Sequence, residues 1–470
     1  MPGAAASTTL GKREPPSADA APQVGAEPSY RDAHPEGAVR RTMRLSLAEG
    51  SLVQVFLNWT SGSVLIGYLL TLGASPTHIA LVGSVPFLAQ VASPLGAWAA
   101  EVLGRRRGLS VLLSVIGRLL WLVAAFVPQM GLPAGAEPTV VVLLVFVASS
   151  FQAAIGTVWT AWMGDVVPEG RRGRYFGLRT GVLGLVGMGA NLGAGAFLDA
   201  VAAPLSFQVV IGVGVFSALL GAGLLSLHYD PPTPRRKVAP LGVLLTPFRD
   251  RNFRSFLKFA IYWQFMVLLG APFVLPYFLE ELSMSFTQVA YWSSIAALTS
   301  LATTTLWGRV ADAAGNKGVL AIGTFIAGAL LPANWILAGL TGNLTFVWIS
   351  AFFDAVAWGA ITPAIFNLAL ASAPKEGRVS FVAGYSLVTG VAGFVGGALS
   401  SPLLALFQAL PAPWFAANWT GYHTLFAVSA IGRVFAWVLL RRVSEERAWR
   451  TRDLLRSART AWRVSGKHWR

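Results

Sequence analysis

Cysteine is absent from the 470 residues. No disulfide and no thiolate metal centre can form. Charge is scarce: 12% of residues are Asp, Glu, Lys or Arg, about half of the ~25% usual for a soluble domain. The five histidines are scattered, at 34, 78, 228, 423 and 468. No glycine-rich phosphate loop occurs, and no nucleophile lies beside a base. ATP-driven and metal-centred chemistry have no residues to work with, so the chain is not read as an enzyme and no cofactor is called for.

What is present is apolar. Hydrophobic residues make up 54% of the chain, and the mean hydropathy is +0.59. The apolar residues fall in continuous runs of about 20 or more, the length at which a helix crosses a ~30 Å hydrocarbon core. Strands of a membrane barrel would instead alternate over ~10 residues. The expected architecture is an all-α polytopic membrane protein. Twelve spans are placed at 47–72, 77–102, 108–128, 139–166, 174–198, 205–228, 254–279, 286–311, 318–340, 344–370, 379–405 and 418–440. Residues 1–45 read as a disordered tail rich in Ala, Pro, Ser and Gly. Residues 46–228 and 254–441 form two six-span units, 229–253 the linker between them and 442–470 a basic tail.

The formal charge of +15 follows topology and not nucleic acid. Loops 73–76, 129–138, 199–204, 280–285, 341–343 and 406–417 contain no Lys or Arg. The alternate loops carry Arg105 to Arg107, Arg171, Arg172, Arg235, Arg236, Lys237, Lys317, Lys375 and Arg378. The positive-inside bias places both termini in the cytoplasm, in a bacterial inner membrane. Residues 441–470 hold ten basic residues against three acids. They suit either a surface helix on anionic lipid or a solvated basic tail.

The halves repeat one another. Ser75-Pro-Thr-His-Ile-Ala80 parallels Ser285-Phe-Thr-Gln-Val-Ala290. Pro168, Arg172 and Tyr175 parallel Pro374, Arg378 and Phe381. Two apolar helices end in an acid-x-x-Gly-basic turn: Glu101, Gly104, Arg105 and Arg106 in the first half, Asp312, Gly315, Asn316 and Lys317 in the second, with Gly308 four residues before Asp312. The second copy resembles the signature loop of the major facilitator superfamily, Gly-x-x-x-Asp-x-x-Gly-x-basic. The first copy departs from it, with Glu101 for Asp and Ala97 for Gly. The resemblance covers roughly 45 to 441 and implies parallel six-helix repeats that rock about a central cavity.

It also implies roles. Glu101 is expected to reach the start of span 11 near Arg378, and Asp312 the start of span 5 near Arg172. A carboxylate is unfavourable at its own helix's C-terminus and favourable at the N-terminus of another, so the pair would latch the cytoplasmic side shut. The alternative is a turn that only anchors helices. Spans 1, 4, 7 and 10 are expected to line the cavity. Near their midpoints lie Asn58, Gln152, Gln264 and Asp354, accompanied by Trp59, Trp159, Trp263 and Trp358. Polar groups at that depth are costly unless paired or wetted, which suggests a hydrated substrate site; interhelical hydrogen bonding is the other reading. Asp354 is taken as the one mid-depth carboxylate, with Glu49 toward a helix end, and hence as the proton-coupling or cation-recognising group. The Gly187–Gly195 stretch is similar to the antiporter motif of drug effluxers, with Ala190 where Pro is expected. The expectation is a secondary transporter of a small organic solute, driven by a proton or another ion. Its substrate would be a sugar or other polar metabolite, or, in efflux, an amphipathic compound. A receptor or scaffold without transport is the remaining alternative.

Overall fold

The computed structural model describes residues 35–231, 248, 250–372, 378–413 and 418–445. Among these residues there are helices and turns and no strand. In order they are α1 (Glu36–Thr71), α2 (Pro76–Ala100), α3 (Arg106–Ala125), α4 (Glu137–Val166), α5 (Glu169–Ala200), α6 (Leu205–Ser226), α7 (Arg251–Glu281), α8 (Phe286–Ala314), α9 (Asn316–Thr341), α10 (Thr345–Ser372), α11 (Arg378–Gln408) and α12 (Gly421–Leu440). Eleven are long and apolar enough to cross a membrane. α8 is a further helix of 29 residues, in the place expected of span 8. The chain is an integral membrane protein.

α1 begins earlier than the hydropathy suggested. Its first turns lie inside the stretch read as tail, after Pro35. Arg40, Arg41 and Arg44 lower the apolar content there, but Val39, Thr42, Ser46, Glu49, Val53 and Phe56 recur every three or four residues and are buried. This moves Glu49 from a helix end to the interior, 5% exposed. The remainder of the expected tail, most of the linker and the segment beyond 445 lie outside the described residues.

The helices form two bundles of six. α1 packs on α5 and α6, α2 on α4, and α3 on α4 and α6; in the second bundle α7 packs on α11 and α12, α8 on α10, and α9 on α10 and α12. Side chains repeat as the helices do. Tyr68 on α1 donates to the Ala124 carbonyl of α3 at 2.8 Å, and Tyr277 on α7 to the Trp335 carbonyl of α9 at 2.9 Å. The N-terminus of α3 is held by Asp230, which accepts from the Arg107 amide at 3.2 Å. That of α9 is held by Glu445, which accepts from the Asn316 and Lys317 amides at 3.0 and 2.8 Å. Each turn of the repeated motif is thereby tied to the end of its own bundle's sixth helix. Both turns pass through a glycine at positive φ, Gly104 at 60° and Gly315 at 88°, where a Cβ would be strained.

Besides a break in α2 at Gln90 and Val91, two helices that are counterparts break midway. α1 is interrupted at Thr60 and Ser61, whose hydroxyls donate to the Phe56 and Leu57 carbonyls one turn back. Such back-bonding bends helices. α7 tightens to a 3-10 turn at Ala271–Phe273, where Pro272 has no amide to donate.

Candidate functional site

The bundles meet mainly through two helix pairs, α2 with α11 and α5 with α8, with smaller contacts of α7 on α1 and α2. Every described hydrogen bond that crosses between them lies at the end of the molecule away from the termini. Asp199, at the end of α5, accepts from the Phe286 and Thr287 amides at the start of α8, both at 2.9 Å. Thr77 on α2 meets Ser401 on α11 at 3.1 Å. Glycine permits the close approach: a Cβ on Gly195 would sit 2.9 Å from the Phe286 carbonyl oxygen, and one on Gly390 2.6 Å from that of Phe87. Toward the terminus end, the later half of α2, from Ala92 on, packs on α4 and no longer closely on α11. The bundles are sealed at the far end and part toward the termini.

Between them lies a cavity with two lobes. The larger, about 670 Å³, is bounded by both helix breaks, at Thr60 to Gly62 and at Ala271 and Pro272, with Gln152 and Gln264 as its amides and a wall that includes Phe56, Phe87 and Trp121. The smaller, about 320 Å³, holds Asn58, Asn191, Asp354 and Arg433 beside Trp292, Trp335 and Trp358. Ser61, Leu275 and Trp358 border both lobes. The broken backbone faces the space between the halves, where non-helical groups at membrane depth are tolerated.

Five of the eight cavity residues expected from sequence are brought together: Gln152, Gln264 and Trp358 around the large lobe, Asn58, Asp354 and again Trp358 around the small one. Three are not. The Trp59 indole donates to the Ala190 carbonyl at 2.8 Å, joining α1 to α5. Trp159 lies 4.3 Å beneath the Arg179 guanidinium. Trp263 is fully buried, stacked on Phe259. All three belong to helix packing within a bundle.

Asp354 and Arg433 do not close on each other. Among the described residues no cation reaches ion-pair distance of the Asp354 carboxylate. Arg433, 2% exposed, donates instead to the Val267 and Ala327 carbonyls, both at 3.1 Å. Ala327 lies in a π turn of α9, Ile326–Leu330, and such turns leave carbonyls open to other donors. Arg433 escaped the sequence reading as a cavity residue because its depth was legible and its direction was not.

A sequence profile of the Major Facilitator Superfamily matches residues 50–396, with a second match over 265–469. The chain belongs to the major facilitator superfamily. No curated protein matches its sequence. Its fold is similar to that of a mutant of the nucleoside transporter NupG, with TM-score 0.69 and 13% identity, covering 86% of this chain and 100% of that one. It is similar also to a D-xylose-proton symporter, with TM-score 0.64 and 15% identity over 88% and 99% of the two chains. A third likeness is a bacterial homologue of the human lysosomal transporter Spinster, inward-facing and occupied, with TM-score 0.62 and 16% identity over 91% and 100%.

Of the superfamily's signature residues, Gly308, Gly315 and Lys317 take their places at the α8–α9 turn. The Lys317 ammonium donates to the Arg441 and Val443 carbonyls of the same bundle. Arg106 pairs with Asp165, again within one bundle. Arg105 caps α3 without a side-chain bond to it, and Arg172 donates to the Val167 carbonyl at 3.0 Å. The side chains of Glu101, Asp312 and Arg378 lie outside the described residues.

Proposed function

We propose that this superfamily member is a secondary active transporter that moves a small organic solute by alternating access, with the cavity as its binding site. The observation that carries this reading is the two-lobed cavity, sealed at one end by contacts between the bundles and parted at the other. With the termini in the cytoplasm, as the loop charges indicate, the structure corresponds to the inward-facing conformation. The acids Glu101 and Asp312 are then latches awaiting the opposite state, in which the terminus end shuts and each reaches the helix start of the other bundle.

The lining favours a solute with an apolar or aromatic body and a polar, cationic pole. The large lobe offers two amides and a few hydroxyls against a mostly apolar wall, too few partners for the hydroxyls of a free sugar. The small lobe offers a carboxylate with three indoles around it, and its one guanidinium, Arg433, is tied to the Val267 and Ala327 carbonyls; the indole faces beside Asp354 attract an ammonium group. Asp354 then serves as the cation-recognising group and, when the solute leaves, as the proton acceptor. Export driven by proton exchange follows from that pairing.

The test uses purified protein. A thermal-shift screen finds ligands, since a true ligand stabilises the folded state by mass action. Uptake of a hit into proteoliposomes is then measured with and without a pH gradient. Asp354→Asn is expected to retain counterflow of a neutral analogue and to lose gradient-driven accumulation. Accumulation at the wild-type level in that variant would refute the coupling role.

A further inference from the structure

The first bundle holds a buried carboxylate that the cavity does not use. Glu49 on α1 is 5% exposed. It faces Arg118 from α3, Arg179 and Tyr175 from α5, and the segment after α6 brings His228 within range of the same Arg179. From α4, the Trp159 ring lies under the Arg179 guanidinium.

The two arginines are held differently. Arg118, 3% exposed, donates to the Ala218 carbonyl of α6 at 2.7 Å. This is the counterpart of Arg433 on Ala327: the same junction of third and sixth helix, with the arginine on the other partner. Arg179 is held loosely. Its Nε reaches the Ser46 carbonyl at 3.4 Å, and its Nη2 stands 3.7 Å from Glu49 Oε2, beyond hydrogen-bond length. Its side chain keeps 17% exposure, on the terminus-end part of α5.

Around this pair, buried polar atoms stand without protein partners: Glu49 Oε2, Ser114 Oγ, Arg118 Nε, Trp159 Nε1 and His228 Nε2. Buried polar groups are nearly always satisfied by protein or by water. Five on this pair and on the helices around it point to internal water. Ser114 lies on the wall of the large lobe, one helical turn from Arg118, so the hydrated region adjoins the cavity.

We propose that Glu49 is a second proton-binding site, separate from Asp354, which takes a proton from cavity water when the Arg179 guanidinium withdraws. One O–H bond forms on the carboxylate and one water-borne proton is consumed. The positive charge thereby gained is offset as the guanidinium moves out into the cleft. Arg118 remains tied to α6 and keeps the site from losing all its cations at once. The first bundle thereby senses the state of the cleft through α5, independently of solute.

Infrared difference spectroscopy of the full-length protein in lipid nanodiscs, titrated with pH, tests this without a substrate. A carboxylic C=O band is expected in the wild type, retained in Asp354→Asn and lost in Glu49→Gln. Arg179→Ala removes the opposing cation, so the band should persist to higher pH by about 1–3 units, whereas Arg179→Lys should leave it near the wild-type position. A Glu49→Gln spectrum identical to wild type would overturn the proposal. So would an Arg179→Ala midpoint at the wild-type value, which decides the matter alone if Glu49→Gln does not fold. Because no transport is measured, a failed transport reading and a failed Glu49 site are told apart.

Discussion

Removing the Asp199 carboxylate should open the far end. Asp199 accepts two backbone amides, at 2.9 Å each, from the first turn of α8 across the bundle interface. A hydrogen bond to a charged group contributes roughly 1.5–3 kcal/mol, and the positive end of a helix adds to it. Asp199 is exposed, so screening by water reduces the two bonds together to about 1–2 kcal/mol. That corresponds to a factor of about 5–30 in the ratio of far-end-closed to far-end-open molecules. Asp199→Ala should forfeit all of it, and Asp199→Asn, which keeps one acceptor and loses the charge, about half. The chain has no cysteine, so paired spin labels can be placed at Ala134 and Ala412, on exposed far-end loops of opposite bundles, without background. Electron–electron distance distributions should gain a longer component in Asp199→Ala, and high salt should push the wild type the same way. A distribution in Asp199→Ala that superposes on the wild type would show that the seal rests on the Gly195 and Gly390 contacts and the Thr77–Ser401 bond without Asp199.

Other expectations are simpler to check. Single cysteines at Gly37 and Ala412 should react with an impermeant reagent from opposite sides of the membrane, the second from outside; reaction of both from one side overturns the orientation. Glu445→Ala removes an acceptor of two α9 amides and should cost about 1–2 kcal/mol, as helix caps do. Its thermal midpoint should fall further than that of Asp230→Ala, which frees one amide. Burial holds the His228 imidazole below its ordinary 6.5, and the Arg179 charge adds to this. The unfolded chain therefore takes up a proton below 6.5 that the folded chain refuses, and stability falls as pH drops through that range. Between about pH 7.5 and 5.5 the wild-type midpoint should fall more than that of His228→Asn; equal falls would refute this.

Much of the fold was legible because apolar length is a strong signal, and because the halves repeat in turn residues that backbone geometry demands, such as Gly104 and Gly315. Depth along a helix was legible too, which is why Asn58, Gln152, Gln264, Asp354 and Trp358 were found. Direction around a helix was not. Trp59, Trp159 and Trp263 have the right depth and point into packing, a distinction that needs the neighbouring helices. Glu49 was misplaced because arginines mask the first turns of α1 in any hydropathy average. The far-end latch had a signal in the sequence: an acid directly after span 5, and a Ser285–Gln288 capping box marking a helix start with amides to offer.

The arginines that tie each bundle together also govern how the chain enters a bilayer. An arginine at the centre of a lone helix in lipid costs about 2.5–3.5 kcal/mol at insertion. Arg118 leaves the ribosome on α3, but the carbonyl that receives it is Ala218, one hundred residues later on α6. The third helix must therefore be sheltered until the sixth arrives, and a chain cut between them strands a guanidinium in lipid. Arg433 comes on the last helix and finds Val267 and Ala327 already in place. Biogenesis thus has one long wait and one immediate docking, and quality control of this protein should concentrate on the interval between its third and sixth helices.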